Sequence, residues 1–136
     1  MQLGEKQELF SQLFAQLILY IISQGYRVRL GEVQRAPQQA EYNSTHCAKC
    51  KKHRDDHVNN KPHKFRAIGI RSSLHIDCLA GDVRVFKIVD GVKVYLTKTE
   101  DYTQFGEWWE LQHELCRWGG RFGDGGHFSI EHGGRK

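Results

Sequence analysis

Residues 73–96 read SLHIDCLAGDVRVFKIVDGVKVYL. Val83, Val85 and Ile88 lead into Val89-Asp90-Gly91, and Val92 to Leu96 follows. An Asp-Gly pair between two runs rich in β-branched residues signals a hairpin, so this stretch predicts an antiparallel sheet. Upstream, Leu9, Phe10, Leu13, Phe14, Leu17, Ile18, Ile21 and Ile22 recur at three- and four-residue steps, and Gly25 ends the run. That spacing predicts an amphipathic helix over residues 4–24, with an apolar face wide enough to form a main wall of the core. Tyr26 to Val33 alternates as a half-buried strand would. Pro37 falls in the first turn of an expected short helix. Residues 43–70 hold a Lys/His/Asp/Asn-rich run with almost no apolar residue, and read as a long polar loop.

Downstream, Phe105, Trp108, Trp109, Leu111 and Leu115 place a second helix over Asp101–Cys116. Trp118 to Gly126 is glycine-rich and must turn tightly, and Phe128 to Ile130 is a last short strand. The order predicts an α+β fold, a small antiparallel sheet packed by helices. One domain over residues 1–136 is expected, with a polar Cys/His-rich insertion at about 43–70.

Composition narrows the function classes. The 136 residues are 26% charged and 39% hydrophobic, which excludes collagen-like, fibrous and fully disordered chains. The longest apolar stretch, Leu13 to Ser23, is broken by Gln16 and is too short to span a bilayer. Met1 to Gln7 lacks the order of a secretory signal, so synthesis in the cytoplasm is expected. A net charge of +4 suits an anionic partner such as nucleic acid, phospholipid or cell-wall polymer. In such a chain a Cys-x-x-Cys reads as metal-binding or redox-active before it reads as a disulfide.

The residues that carry chemistry are His75 and Asp82, seven apart, and Asp124 and His127, three apart. Taken singly, each reads first as a surface or hydrogen-bonded side chain. Together, His75, Asp82 and His127 make a three-ligand set for Zn²⁺ with a fourth position left open, which is what separates a catalytic zinc from a structural one. Asp124, in a glycine-rich turn three residues before His127, is placed to act as general base.

The pattern resembles the LAS metallopeptidases, which comprise D-Ala-D-Ala carboxypeptidases, vancomycin-resistance dipeptidases and phage L-alanyl-D-glutamate endopeptidases. Their motif is Ser-x-His, then Ala-x-Asp ending seven residues after the His, then an acidic-x-x-His, matched here by Ser73, His75, Ala80, Asp82, Asp124 and His127. Glu32-Val33-Gln34-Arg35 with Gln38-Gln39 resembles the family's upstream segment, and Tyr102, Gly106, Glu107, Trp108, Trp109 and Trp118-Gly119-Gly120 resemble its small phage members. The resemblance implies a hedgehog/D-Ala-D-Ala-peptidase-like fold, zinc held by His75, Asp82 and His127, and Asp124 as base where many relatives have Glu. It implies Arg35 over the scissile carbonyl or substrate carboxylate, and Ser73 binding substrate or orienting His75. Cys78 stands where the family usually has Gly.

Cys47, Cys50, His53 and His57, flanked by His46 and His63, could hold a second zinc that pins a segment with no core of its own; the alternative is a mobile polar loop whose cysteines are simply reduced.

The function implied is a zinc-dependent endopeptidase of bacterial peptidoglycan stems, an endolysin or a virion-associated enzyme. It would act as a monomer on the bacterial cell wall or in the periplasm, with no nucleic-acid or membrane partner. The alternatives are a D-Ala-D-Ala carboxypeptidase, a zinc-stabilised nucleic-acid-binding module, and an inactive peptidase-fold interaction domain. Against nucleic acid, the charges form no stripe, and two aspartates among the best-spaced metal residues would repel phosphate.

Overall fold

The computed structural model describes residues 1–58, 63–70 and 72–136. Helix α1 spans Leu3–Ser23 and buries Phe10, Leu13, Phe14, Leu17 and Ile21. Leu9 and Ile18 pack partly against the same core, whereas Ile22 is exposed, so the buried face is narrower than the periodicity suggests. Opposite α1 lie Val83, Val85, Phe105, Trp109, Phe128 and Ile130, which close the core from the sheet and from helix α3 (Thr103–Gln112). Phe10 meets Trp109 edge-on at 6.1 Å between ring centroids, and Trp109 meets Phe128 in the same way at 5.9 Å. Such edge-to-face pairs satisfy the ring quadrupoles.

The sheet has five antiparallel strands. β1 (Arg27–Leu30) pairs with the middle of β2 (Ala80–Val89). β3 (Val92–Tyr95) takes the far end of β2, and β5 (His127–Ile130) takes its Ala80–Asp82 end. β4 (Cys116–Trp118) adds to the outer side of β5. The β2–β3 turn has positive φ at both Asp90 (49°) and Gly91 (78°), as the Asp-Gly signal requires. β1 is shorter than the alternation over 26–33 implied, but the Gly31 N–H still donates to the Asp82 carbonyl at 2.7 Å and the Asp82 N–H to the Glu32 carbonyl at 2.8 Å.

Two boundaries differ from expectation. Helix α2 (Pro37–Thr45) runs into the segment expected as loop, because Asn43 is buried and accepts from Gln39 Nε2 at 2.7 Å one turn earlier. The second helix starts as a 3₁₀ turn (Thr99–Tyr102) and stops at Gln112, so Cys116 is a strand residue rather than a helical one. The expected loop otherwise holds one 3₁₀ turn, Arg54–Asp56, among the described residues, and positions 59–62 lie outside them. No helix among the described residues is long and apolar enough to cross a membrane.

Candidate metal centre and cleft

Asp82 and His127 are brought together by the register of the sheet. They sit directly opposite each other on β2 and β5, and such pairs project from the same face with Cβ atoms about 4.5–5.5 Å apart. Asp82 Oδ1 lies 3.1 Å from His127 Nδ1.

His75 arrives from the turn that feeds β2. The Leu79 N–H donates to the Leu74 carbonyl at 3.0 Å and the Cys78 N–H to the His75 carbonyl at 3.3 Å. This is a Schellman closure with Cys78 in the left-handed region, φ 54°. A side chain there costs about 1–2 kcal/mol, which gives a physical reason for glycine at that place in the resembling family. The Ser73 hydroxyl accepts the His75 backbone N–H at 3.2 Å inside the turn. The Val33 carbonyl lies 3.2 Å from His75 Nδ1. With Nδ1 donating to that carbonyl, Nε2 faces Asp82 Oδ1 at 3.3 Å, where the charged ring donates a hydrogen bond and the neutral ring offers a lone pair to a metal.

These residues fit a metal ion. One ligand atom from each of His75, Asp82 and His127 lies within 4.8 Å of the others. A tetrahedral zinc with bonds of about 2.0–2.1 Å has N/O ligand atoms about 3.3 Å apart, close to the 3.1 and 3.3 Å observed. Cys78 is not part of the set.

The charges are arranged around Asp82. Burial works against its ionisation, but hydrogen bonds from His127 and His75 outweigh that and hold its carboxyl down to about 2. Burial also opposes a charge on His75, and the Asp82 carboxylate reverses the balance and raises its pKa. For Asp124 burial dominates and the nearby Asp82 charge adds to it, so its pKa is raised despite His127. The result is one carboxylate committed to its ligand neighbours and a second that is a stronger base than a solvated aspartate.

Asp124 is held by its backbone. Its N–H donates to the Gly119 carbonyl at 2.9 Å, and its carbonyl accepts the His127 N–H at 3.2 Å. The loop is pinned by Trp118, whose Nε1–H donates to the Gly125 carbonyl at 2.8 Å.

All six residues singled out from the sequence, His75, Asp82, His127, Asp124, Arg35 and Ser73, line one cavity of about 470 Å³. A second cavity of about 440 Å³ shares Asp82 and Asp124 and runs past Glu32, Lys98 and Tyr102. Arg35 is fixed by an ion pair of its Nε with Glu32 Oε1 at 2.5 Å, and its backbone N–H donates to the His75 carbonyl.

Sequence reasoning assigned no role to Glu32, Phe122 or Arg135. The three-residue spacing to Arg35 was a signal for Glu32. Nothing local pointed to Arg135, which enters the cavity lining through an ion pair with Asp77 at 2.6 Å, 58 positions away.

In the polar segment, Cys47, Cys50, His57 and His63 form a second group whose ligand atoms all lie within 4.8 Å of one another. His53, expected as a ligand, is replaced by His63. The His53 Nδ1 accepts the Asp55 N–H at 3.1 Å and caps the 3₁₀ turn, and its ring packs edge-on against His46. The expected pairing of His53 and His57 needed an α-helical turn, and the chain forms only a three-residue 3₁₀ turn there.

The chain matches no protein-family model and no curated protein.

Proposed function

We propose that the chain is a zinc peptidase of the LAS type, with the hedgehog/D-Ala-D-Ala-peptidase-like fold, that hydrolyses the stem peptides of bacterial peptidoglycan as an L-alanyl-D-glutamate endopeptidase. The observation that carries this reading is the convergence of His75, Asp82 and His127 in a cleft also lined by Asp124 and Arg35. Zinc on these three residues supplies a Lewis acid that polarises a carbonyl and acidifies water.

The chain's own groups do the rest. Asp124 takes the proton of the attacking water as the new C–O bond forms at the scissile carbonyl. It then delivers that proton to the amine nitrogen as the C–N bond breaks. Arg35, oriented by Glu32, presents a permanent cation to the negative charge that develops on the carbonyl oxygen. Ser73 and the Val33 carbonyl hold the His75 backbone and ring, so the imidazole needs no reorganisation.

Two cavities meeting at Asp82 and Asp124 favour an endopeptidase, since the chain then has room for substrate on both sides of the cut bond. A D-Ala-D-Ala carboxypeptidase needs space for only one residue beyond it. Arg35, Arg135 and Lys136 line the larger cavity, and their positive charge suits the acidic D-glutamate of a stem peptide.

The test incubates purified peptidoglycan with the protein, with Asp124→Ala, and with the protein plus chelator, and identifies fragments by mass spectrometry. New D-Glu amino termini that require both metal and Asp124 are expected. Release of terminal D-Ala alone would make the enzyme a carboxypeptidase, and no metal-dependent cleavage of any wall type would refute the peptidase reading.

A further inference from the structure

The Cys47–His63 group lies outside the peptidase cleft and has a chemistry of its own. Cys47 Sγ is 3.3 Å from His63 Nε2, and His57 Nε2 is 3.3 Å from the same atom. Around a tetrahedral zinc with Zn–S about 2.3 Å and Zn–N about 2.0 Å, the S···N and N···N edges are about 3.5 and 3.3 Å. Two imidazole nitrogens pointed at each other beside a thiol match three corners of that tetrahedron, and Cys50 supplies the fourth.

The backbone is already folded for a metal. The Lys51 N–H donates back to the Cys47 carbonyl at 2.8 Å, the Cys47 N–H donates to the Lys52 carbonyl at 2.9 Å, and Lys51 takes a left-handed φ of 62°. This hairpin-like knuckle turns both cysteine sulfurs to one side. Non-glycine residues in the left-handed region persist where their surroundings over-determine them, and a four-ligand metal does that.

The knuckle also holds one wall of the cleft. Cys47 pairs with Ala67, the Ala48 N–H donates to the Arg66 carbonyl at 2.7 Å, and the Ile68 N–H donates to the His46 carbonyl at 3.1 Å. Ile68, Gly69 and Ile70 line the cavity that contains His75 and Arg35. A Cβ on Gly69 would stand 3.7 Å from Arg35 Nη1.

We propose that Cys47, Cys50, His57 and His63 bind a structural zinc, separate from the His75/Asp82/His127 set, and that this ion holds the Ala67–Ile70 strip in place as a wall of the cleft beside Arg35. Two thiolates and two imidazoles with no open position are the donor set of a structural rather than a catalytic zinc. The segment carries few apolar residues, so the metal supplies the folding free energy that a hydrophobic core would otherwise supply.

The proposal stands or falls apart from peptidase activity. Metal content is measured on the whole chain, on His75→Ala/His127→Ala, and on Cys47→Ser/Cys50→Ser. The intact chain is expected to hold two equivalents of zinc, and each double variant one. Cobalt exchanged into the first variant should give a thiolate-to-metal charge-transfer band in the near ultraviolet, which an N/O site cannot produce. Cys78→Ser should keep that band. Hydrogen exchange at Ala67–Ile70 should accelerate more than about tenfold in the cysteine variant, with α1 and β2 unchanged. If the cysteine variant does not fold, the cobalt spectrum of the histidine variant decides the metal site, and hydrogen exchange in His63→Ala decides the wall. A folded His75→Ala/His127→Ala protein that binds no metal, or gives no charge-transfer band, would overturn the site. Unchanged exchange at Ala67–Ile70 in a metal-depleted loop would overturn its role in the cleft.

Discussion

Replacing Gly119 by alanine tests whether the candidate centre depends on the close approach of two backbone segments. Gly119 follows β4, and its carbonyl accepts the Asp124 N–H. A Cβ there would lie 2.3 Å from the Asp124 carbonyl oxygen and 2.7 Å from His127 Cβ. Real Cβ contacts under 3.0 Å essentially do not occur, so the Asp124 backbone must move by about 0.7 Å to reach even that limit. Neither neighbour is the tip of a flexible side chain, so the shift passes into the loop that carries Asp124 and into His127 itself. Overpacking of this kind costs about 1–3 kcal/mol, a fall in Tm on the order of 4–12 °C for a chain of this size. Misplacing the atoms around a ligand typically weakens metal binding by about 10–100-fold. A displacement approaching 1 Å costs about 100-fold in rate where catalysis depends on alignment. Thermal unfolding, zinc affinity by competition with a chromophoric chelator, and cleavage rate would be measured in parallel. Gly4→Ala is the control, since a Cβ at Gly4 meets nothing within 4 Å. A Gly119→Ala protein with unchanged Tm and zinc affinity would show that the loop lacks the tight packing described, and would refute the argument.

Three further substitutions separate the roles assigned above. Asp124→Asn should keep the zinc content of the His75/Asp82/His127 set and lower the cleavage rate about 10²–10⁴-fold, the usual contribution of a positioned base; loss of metal instead would make Asp124 a ligand. Tyr102→Phe removes a buried hydroxyl that donates to the Leu96 carbonyl at 2.9 Å and accepts the Val85 N–H at 3.2 Å. It should cost about 1–3 kcal/mol in denaturant unfolding, and a neutral result would mean that water replaces the phenol. Cys78→Gly should relieve left-handed strain of about 1–2 kcal/mol against about 0.5–1 kcal/mol of added chain entropy. The expected outcome is a modest rise in the urea midpoint with metal content unchanged, and a fall would mean that the Cys78 side chain makes a contact worth more than its strain.

Local pattern made the main elements readable from the chain alone. The three- and four-residue recurrence from Leu9 to Ile21 gave α1, because a helix that buries one face must repeat its apolar residues at that period. The Asp90-Gly91 pair gave the β2–β3 hairpin, because few residues tolerate two positive φ angles in succession. His75, Asp82, Asp124 and His127 were legible from residue type and short-range spacing, whereas Arg35 and Ser73 were pointed to only by the resemblance to the LAS peptidases. β4 was not readable. Three residues are too few to show a period, and Cys116 is apolar enough to pass as the last turn of α3.

What only tertiary structure decided is which side chains meet. Asp82 and His127 are 45 positions apart and become neighbours through the β2–β5 register, a property of two strands that neither strand encodes by itself. Arg135 reaches the cleft because its guanidinium finds Asp77 across the molecule. His63 displaces His53 in the cysteine group for the same reason. His53 is nearer in sequence, but its ring nitrogen is taken up in capping its own turn, while loop closure brings His63 back across 16 positions to Cys47. Spacing along the chain limits which residues can share a local turn, whereas contact between distant residues is set by the packing that leaves each polar group a partner.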